Sequence, residues 1–226
     1  MGNDTMPRCA VCSEKERICR SEKGKGPEFC PTLNKREIIE KAVKEYKRPD
    51  IWEFARMASI QEAECYINRD KKPYVLHPVK PRVQEIIEFA QKMNYQKLGI
   101  AFCVGLHPEA RSLNKILEVH GFQVASVVCK VGCTPKELIG IEEEEKINIG
   151  EFESMCSPIV QAKILNNEKT DLNILVGLCV GHDSLFFKYS EAPVTVLVAK
   201  DRVLGHNPAA ALYTSNTYYA RLVQPK

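Results

Sequence analysis

No run of about 18 or more apolar residues occurs in the 226-residue chain, so nothing in it reads as a membrane span. The amino terminus, MGNDTMPRC, lacks the apolar core of a secretory signal, which points to a cytoplasmic protein. An excess of charge is lacking too: 32 Lys and Arg against 29 Asp and Glu leave +3, and only Glu142 to Glu145 forms a like-charge block. Electrostatics therefore gives no footing for a nucleic-acid or membrane partner. No GxGxxG fingerprint and no Walker lysine loop is present, which leaves nucleotide binding through a known loop unsupported. An internal repeat of about 20 to 50 residues is not evident either.

What the chain does have is cysteine and apolar bulk. Its 44% hydrophobic content suffices for a sizeable core without help from a metal or a disulfide. Ten cysteines are too few for a disulfide scaffold of this length, and in a reducing compartment they point to metal or thiol chemistry.

Three regions follow from the pattern. Residues 1–33 are polar and cysteine-rich, with Gly24, Gly26 and Pro27 breaking any period, and read as a metal knuckle. Residues 34–95 read as a helical segment packing on the core, with Asn34/Glu37 and Asp50/Glu53 as helix openers and KKPYVLHPVKP as a connector. Residues 96–226 read as an α/β domain. Short apolar runs there, LGIAFCV, FQVASVVC, LNILVGLC and PVTVLVA, alternate with helical patterns. The predicted fold class is α/β: a doubly wound, mostly parallel sheet of at least four strands, preceded by helices and an N-terminal four-cysteine knuckle.

Cys9, Cys12, Cys19 and Cys30 make the strongest local motif, since a CxxC turn aims two thiolates at one ion and two more complete a tetrahedron. Zinc is the default ion, and an iron–sulfur cluster is the alternative because Pro31 follows Cys30.

A second set is scattered in sequence but shares an address. Cys103, Cys129 and Cys179 lie at the ends of predicted strands and Cys156 precedes a helix. In a parallel sheet the carboxyl ends share one edge, where open α/β folds bind ligands. The four can meet there around an iron–sulfur cluster or another thiophilic metal, with Cys133 as an alternate thiol. Proline marks four helix starts, at Pro108, Pro135, Pro158 and Pro208, with Thr134 and Glu137 as a capping box and Asp183 as a cap. Helix N-termini stabilise thiolates or a bound anion. His107, His182, Asp183, Arg202 and His206 fall at the same edge as candidate ligand-binding or supporting groups. Each has a plainer reading as a cap or a satisfied structural residue, and Arg202 as an ion pair with Asp201 or Asp183. Cys65, in an alanine-rich helix, reads as packing, and the glutamate run as a solvated helix face.

The segments CAVC, LGIAFCVGL, MCSPIVQAKILN and LVGLCVGHDSLFFKYSEAPVTVLVAKDRVLGHNP resemble an uncharacterised family of cysteine-rich proteins, described as metal-binding, found mostly in anaerobic microbes. The resemblance implies cysteine ligation and names no reaction. Two functions stay open: a metal-cofactor protein with a redox centre and a redox partner, or a non-enzymatic module that senses a metal or a small anionic ligand beside a structural zinc knuckle. A lone low-pKa cysteine acting as nucleophile, Cys179 or Cys156 with His182, ranks below both.

Overall fold

A computed structural model describes residues 5–224; the first four residues of the cysteine-rich segment and the last two of the chain lie outside it. The chain divides into two compact units, residues 1–64 and 65–226. The first opens with a 3-10 turn at Cys9–Val11 and continues into α1 (Pro31–Asn34), α2 (Arg36–Glu45) and α3 (Pro49–Glu64). Pro31 and Pro49 each stand first in a helix, where the missing N–H has no partner to lose. Asn34 does not open a helix as expected. It closes α1, its side-chain amide donates to the Glu28 carbonyl, and α2 begins after Lys35 without a side-chain cap.

The second unit holds α4 (Arg82–Lys92), β1 (Lys97–Phe102), α5 (His107–Val119), β2 (Gln123–Val128), α6 (Pro158–Asn167), β3 (Leu172–Val176), α7 (His182–Tyr189), β4 (Val194–Val198) and α8 (Ala209–Tyr213). The strands form one sheet in the order β2-β1-β3-β4, every pair parallel, so the α/β class is as expected. Parallel strands need helical crossovers, and right-handed crossovers place α5 on one face of the sheet and α6 and α7 on the other. The central strands are buried almost throughout, with Leu98, Ile100, Ala101 and Ile174 fully enclosed. β4 stands at an edge and is half-buried. There the Arg82 guanidinium donates from Nε to the Val196 carbonyl (2.6 Å) and from Nη2 to the Thr195 hydroxyl (3.1 Å).

Two buried amides lock the centre. Asn173 in β3, fully enclosed, accepts from Thr170 Oγ1 (2.8 Å) and donates to Ser190 Oγ (2.9 Å). It faces Gly99 in β1, where a Cβ would stand 2.0 Å from Asn173 Oδ1, so the register admits only glycine. Gln161, projecting from α6 and likewise fully buried, donates to the carbonyls of Phe102 (3.2 Å) and Val127 (2.7 Å), tying the ends of β1 and β2 together.

The segment between β2 and α6 departs from expectation. Pro135 precedes only a 3-10 turn, Lys136–Ile139, and the Thr134–Glu137 capping box does not form. The reason is pairing: Met155 N–H donates to the Thr134 carbonyl (2.7 Å) and Lys136 N–H to that of Glu153 (3.1 Å), which holds the backbone around Pro135 extended. Glu137 instead meets Lys146 at 2.6 Å. The glutamate run is not a helix face; it forms a 3-10 turn at Glu143–Glu145 closed by a reciprocal Glu142/Glu145 box. Lys146, its side chain only 5% exposed, is shared between Glu137 and Glu143. The excursion returns to the sheet where Ser157 N–H donates to the Cys129 carbonyl (2.7 Å), directly before α6. Among the described residues no helix is long and apolar enough to cross a membrane.

Candidate functional site

In the first unit Cys9, Cys12, Cys19 and Cys30 all line one cavity of about 90 Å³, together with Arg17, Ile18, Lys25, Gly26, Pro27, Phe29 and Thr32. Local bonds close it. Cys12 N–H donates to the Cys9 carbonyl (3.2 Å), Ile18 N–H to that of Lys25 (2.9 Å) and Cys30 N–H to that of Pro27 (2.9 Å). Gly26 leaves room for Cys30, whose Sγ would lie 2.9 Å from a Cβ there.

The second unit places its cysteines past the strand ends. β1 lies between β2 and β3, and the chain leaves β1 toward one face and β3 toward the other. The crevice where strand order reverses therefore opens between the loops after Phe102 and after Val176. Cys103 and Cys179 belong to those two loops, Cys129 follows β2, and Lys200 and Arg202 follow β4.

Three of the thiols form a connected group. The Cys129 and Cys156 sulfurs are 3.8 Å apart, and Cys103 lies near enough to Cys129 for the two thiols to shift one another's acidity. Val104 N–H donates to Cys129 Sγ at 3.3 Å. The Lys200 ammonium donates to Cys103 Sγ, and Gly105 N–H adds a further donor to it. Cys103 and Cys129 are buried, 4% and 2% exposed, while Cys156 is half-buried.

This network divides the thiol acidities. The hydrogen bond from Cys129 pulls Cys103 down to about 4; burial opposes that, and Lys200 and Gly105 N–H assist it. Cys129, between two sulfurs and the most enclosed, is driven far upward and keeps its proton. Cys156 is lowered to about 6 by the Cys129 hydrogen bond, against burial, with Lys130 and His182 adding positive charge. A depressed thiol stabilises the fold fully above its unfolded value and loses that contribution as pH falls through its folded value; a raised thiol does the reverse. The Cys103 contribution therefore builds as pH rises from about 4 to the ordinary 9.0, while that of Cys129 is intact up to 9.0 and declines above it. Alkylation of Cys156 by iodoacetamide in metal-free protein should follow a titration centred close to pH 6, read by peptide mass spectrometry. The midpoint is the quantity to measure, because a low-pKa thiolate is also a weaker nucleophile and the rate at one pH changes less. A midpoint near 9.0 would show that Cys129 and Lys130 do not act on it.

The remaining candidates stand apart from this trio. Cys179 Sγ accepts from Arg202 Nη2 at 3.0 Å and makes no hydrogen bond to the other thiols. Arg202 thus pairs with a sulfur and not with Asp201 or Asp183. Cys133 is exposed in a turn at φ 47°. His107 is exposed at the start of α5, edge-on to Phe102 at 5.5 Å. His206 is held in its loop, its Nδ1 accepting from Asp201 N–H (3.2 Å). Asp183 lies inside α7 and not before it, accepting from Gly181 N–H (3.0 Å) and Ser184 N–H (2.7 Å). His182 Nδ1 and Ser157 Oγ are buried without a partner. Among the described residues no group of three or more His, Cys, Asp or Glu side chains stands arranged to hold a metal ion.

Lys200, Lys130 and Gln161 were not singled out from the sequence. Lys200 had a usable signal, since it follows β4 as Cys103 and Cys129 follow their strands. A buried amide on a helix, as at Gln161, leaves none.

An open, all-parallel α/β sheet with thiols and cations gathered along its carboxyl edge defines the class. The chain belongs to the family described as "Protein of unknown function (DUF1847)", whose model matches residues 30–197. That span takes in Cys30 and all four edge cysteines and stops short of Lys200 and Arg202. The chain is also 44% identical over 219 residues to an uncharacterized protein of Methanocaldococcus jannaschii, covering 97% of this chain and 100% of that one. No solved structure matches the chain.

Proposed function

We propose that the protein binds thiophilic metal at two places: zinc at Cys9, Cys12, Cys19 and Cys30, and a second metal, a single ion or an iron–sulfur centre, on Cys103, Cys129 and Cys156 with Cys179 completing the set. The observation that carries the reading is the 3.8 Å separation of the Cys129 and Cys156 sulfurs, contributed by segments 27 residues apart. Four sulfurs bonded to one ion at about 2.3 Å stand about 3.8 Å from one another by tetrahedral geometry, so this pair already has the spacing of two ligands. In the first unit the support is that four cysteines, and no carboxylate, line a single cavity of about 90 Å³. Thiols are soft donors suited to zinc or iron–sulfur chemistry, and they must shed protons on loading. At the edge, Lys200, Arg202 and the N–H groups of Val104 and Gly105 supply the positive charge that offsets accumulated thiolates.

A second reading, a binding module for a small anionic ligand, is favoured by one observation: Lys200 and Arg202 bond thiols and no carboxylate at this edge. The discriminating measurement is metal content and visible absorption of protein purified without oxygen. Metal at both sites is expected, with Cys129→Ser losing only the edge metal. Protein that carries no edge metal, with its thiols freely titratable, would favour the anion module. Absence of metal from both sites defeats the metal proposal outright.

A further inference from the structure

We propose that, free of metal, Cys156 and Cys129 form a dithiol–disulfide exchange site for a small disulfide. The inference rests on their geometry and not on the presence of a metal. Their sulfurs are 3.8 Å apart, and the bond from Ser157 N–H to the Cys129 carbonyl (2.7 Å) holds the two chain segments side by side. Closing the sulfurs from 3.8 Å to the bonded distance of about 2.0 Å is a short approach between thiols already in contact. The two thiols differ in access, which assigns their roles. Cys156 is half-buried and meets solvent, whereas Cys129 is only 2% exposed. Cys103 is engaged by the Lys200 ammonium and Cys179 by the Arg202 guanidinium, whereas no cationic side chain hydrogen-bonds Cys129 or Cys156 among the described residues.

The exchange balances as follows. The Cys156 sulfur, having given its proton to solvent, attacks one sulfur of the small disulfide, breaking the S–S bond and expelling one thiolate, which takes up a proton. Cys129 then attacks the Cys156 sulfur of the mixed disulfide and passes its proton to the second thiolate as that thiolate leaves, so no free Cys129 thiolate accumulates. Two protein thiols are oxidised to one disulfide, and the small disulfide is reduced to two thiols. A half-buried attacking sulfur selects a small disulfide over a protein one.

The test uses the full chain, stripped of metal and reduced without oxygen, then exposed to glutathione disulfide and mapped by peptide mass spectrometry after alkylation. The wild type should lose two hydrogens in a Cys129–Cys156 link. Cys129→Ser should accumulate glutathione on Cys156, because the resolving thiol is gone. A principal link from Cys129 to another cysteine, or no adduct on Cys156 in Cys129→Ser, overturns the proposal. Metal content of the unstripped protein is read in parallel. Protein that never held metal yet forms the link keeps this inference and defeats the metal reading; protein that held metal and forms no link does the reverse.

Discussion

Cys12→Ser is expected to remove one equivalent of metal and to leave residues 5–33 open to protease, while the unit beginning at Cys65 keeps its resistance. The physical reason is that this segment has little else to order it. Its described residues carry no buried position before Pro31, and its ordered bonds are a handful of turns around the cavity shared by the four cysteines. Fixing a residue's backbone costs about 1–2 kcal/mol, and a structural zinc site contributes about 10–16 kcal/mol, which offsets the ordering of roughly ten residues around the cavity. Chelation of the wild type should have the same effect. Limited proteolysis with metal analysis reads both, and an unchanged digestion pattern with metal content intact would remove the knuckle from the account.

Gly99→Ala is expected to bring the second-largest loss. A Cβ at that position would stand 2.0 Å from Asn173 Oδ1, and the Asn173 amide is held on both sides by Thr170 and Ser190 in a fully buried place. Overpacking costs about 1–3 kcal/mol. Displacing the amide from its partners adds about 1–3 kcal/mol for polar atoms left unpaired. At roughly 2–4 °C per kcal/mol for a unit of this size, the thermal midpoint should fall by on the order of 10 °C. A scanning-calorimetry midpoint within about 1 °C of the parent would mean that β1 and β3 do not pair in this register.

The apolar runs located all four strands, because a parallel sheet covered on both faces asks most of its strand residues to be apolar. Their ends were less legible. LGIAFCV runs on to Val104, but pairing stops at Phe102, where the chain enters a 3-10 turn at Val104–Leu106. LNILVGLC continues to Cys179, yet β3 ends at Val176 because Gly177 turns to φ 72°. Both errors have one source: apolar loop residues that pack on the sheet look like strand. The proline rule identified α6 and failed at Pro135, where pairing with the Glu153–Met155 segment outweighs a helix start. Among the thiols, topology explains why Cys103, Cys129 and Cys156 meet. The partner of Cys179 depended on how far the Arg202 side chain reaches from its loop, which no spacing encodes.

Arg82 bears on how the second unit behaves among its own copies. A strand with one side unpaired offers a template onto which another chain can add, the first step toward open-ended stacking. Here the guanidinium occupies the Val196 carbonyl, a backbone acceptor a newcomer would need, and is steadied by the Thr195 hydroxyl. The residue that opens α4 thus works as a cover on the sheet's exposed rim and discourages self-templated growth from β4.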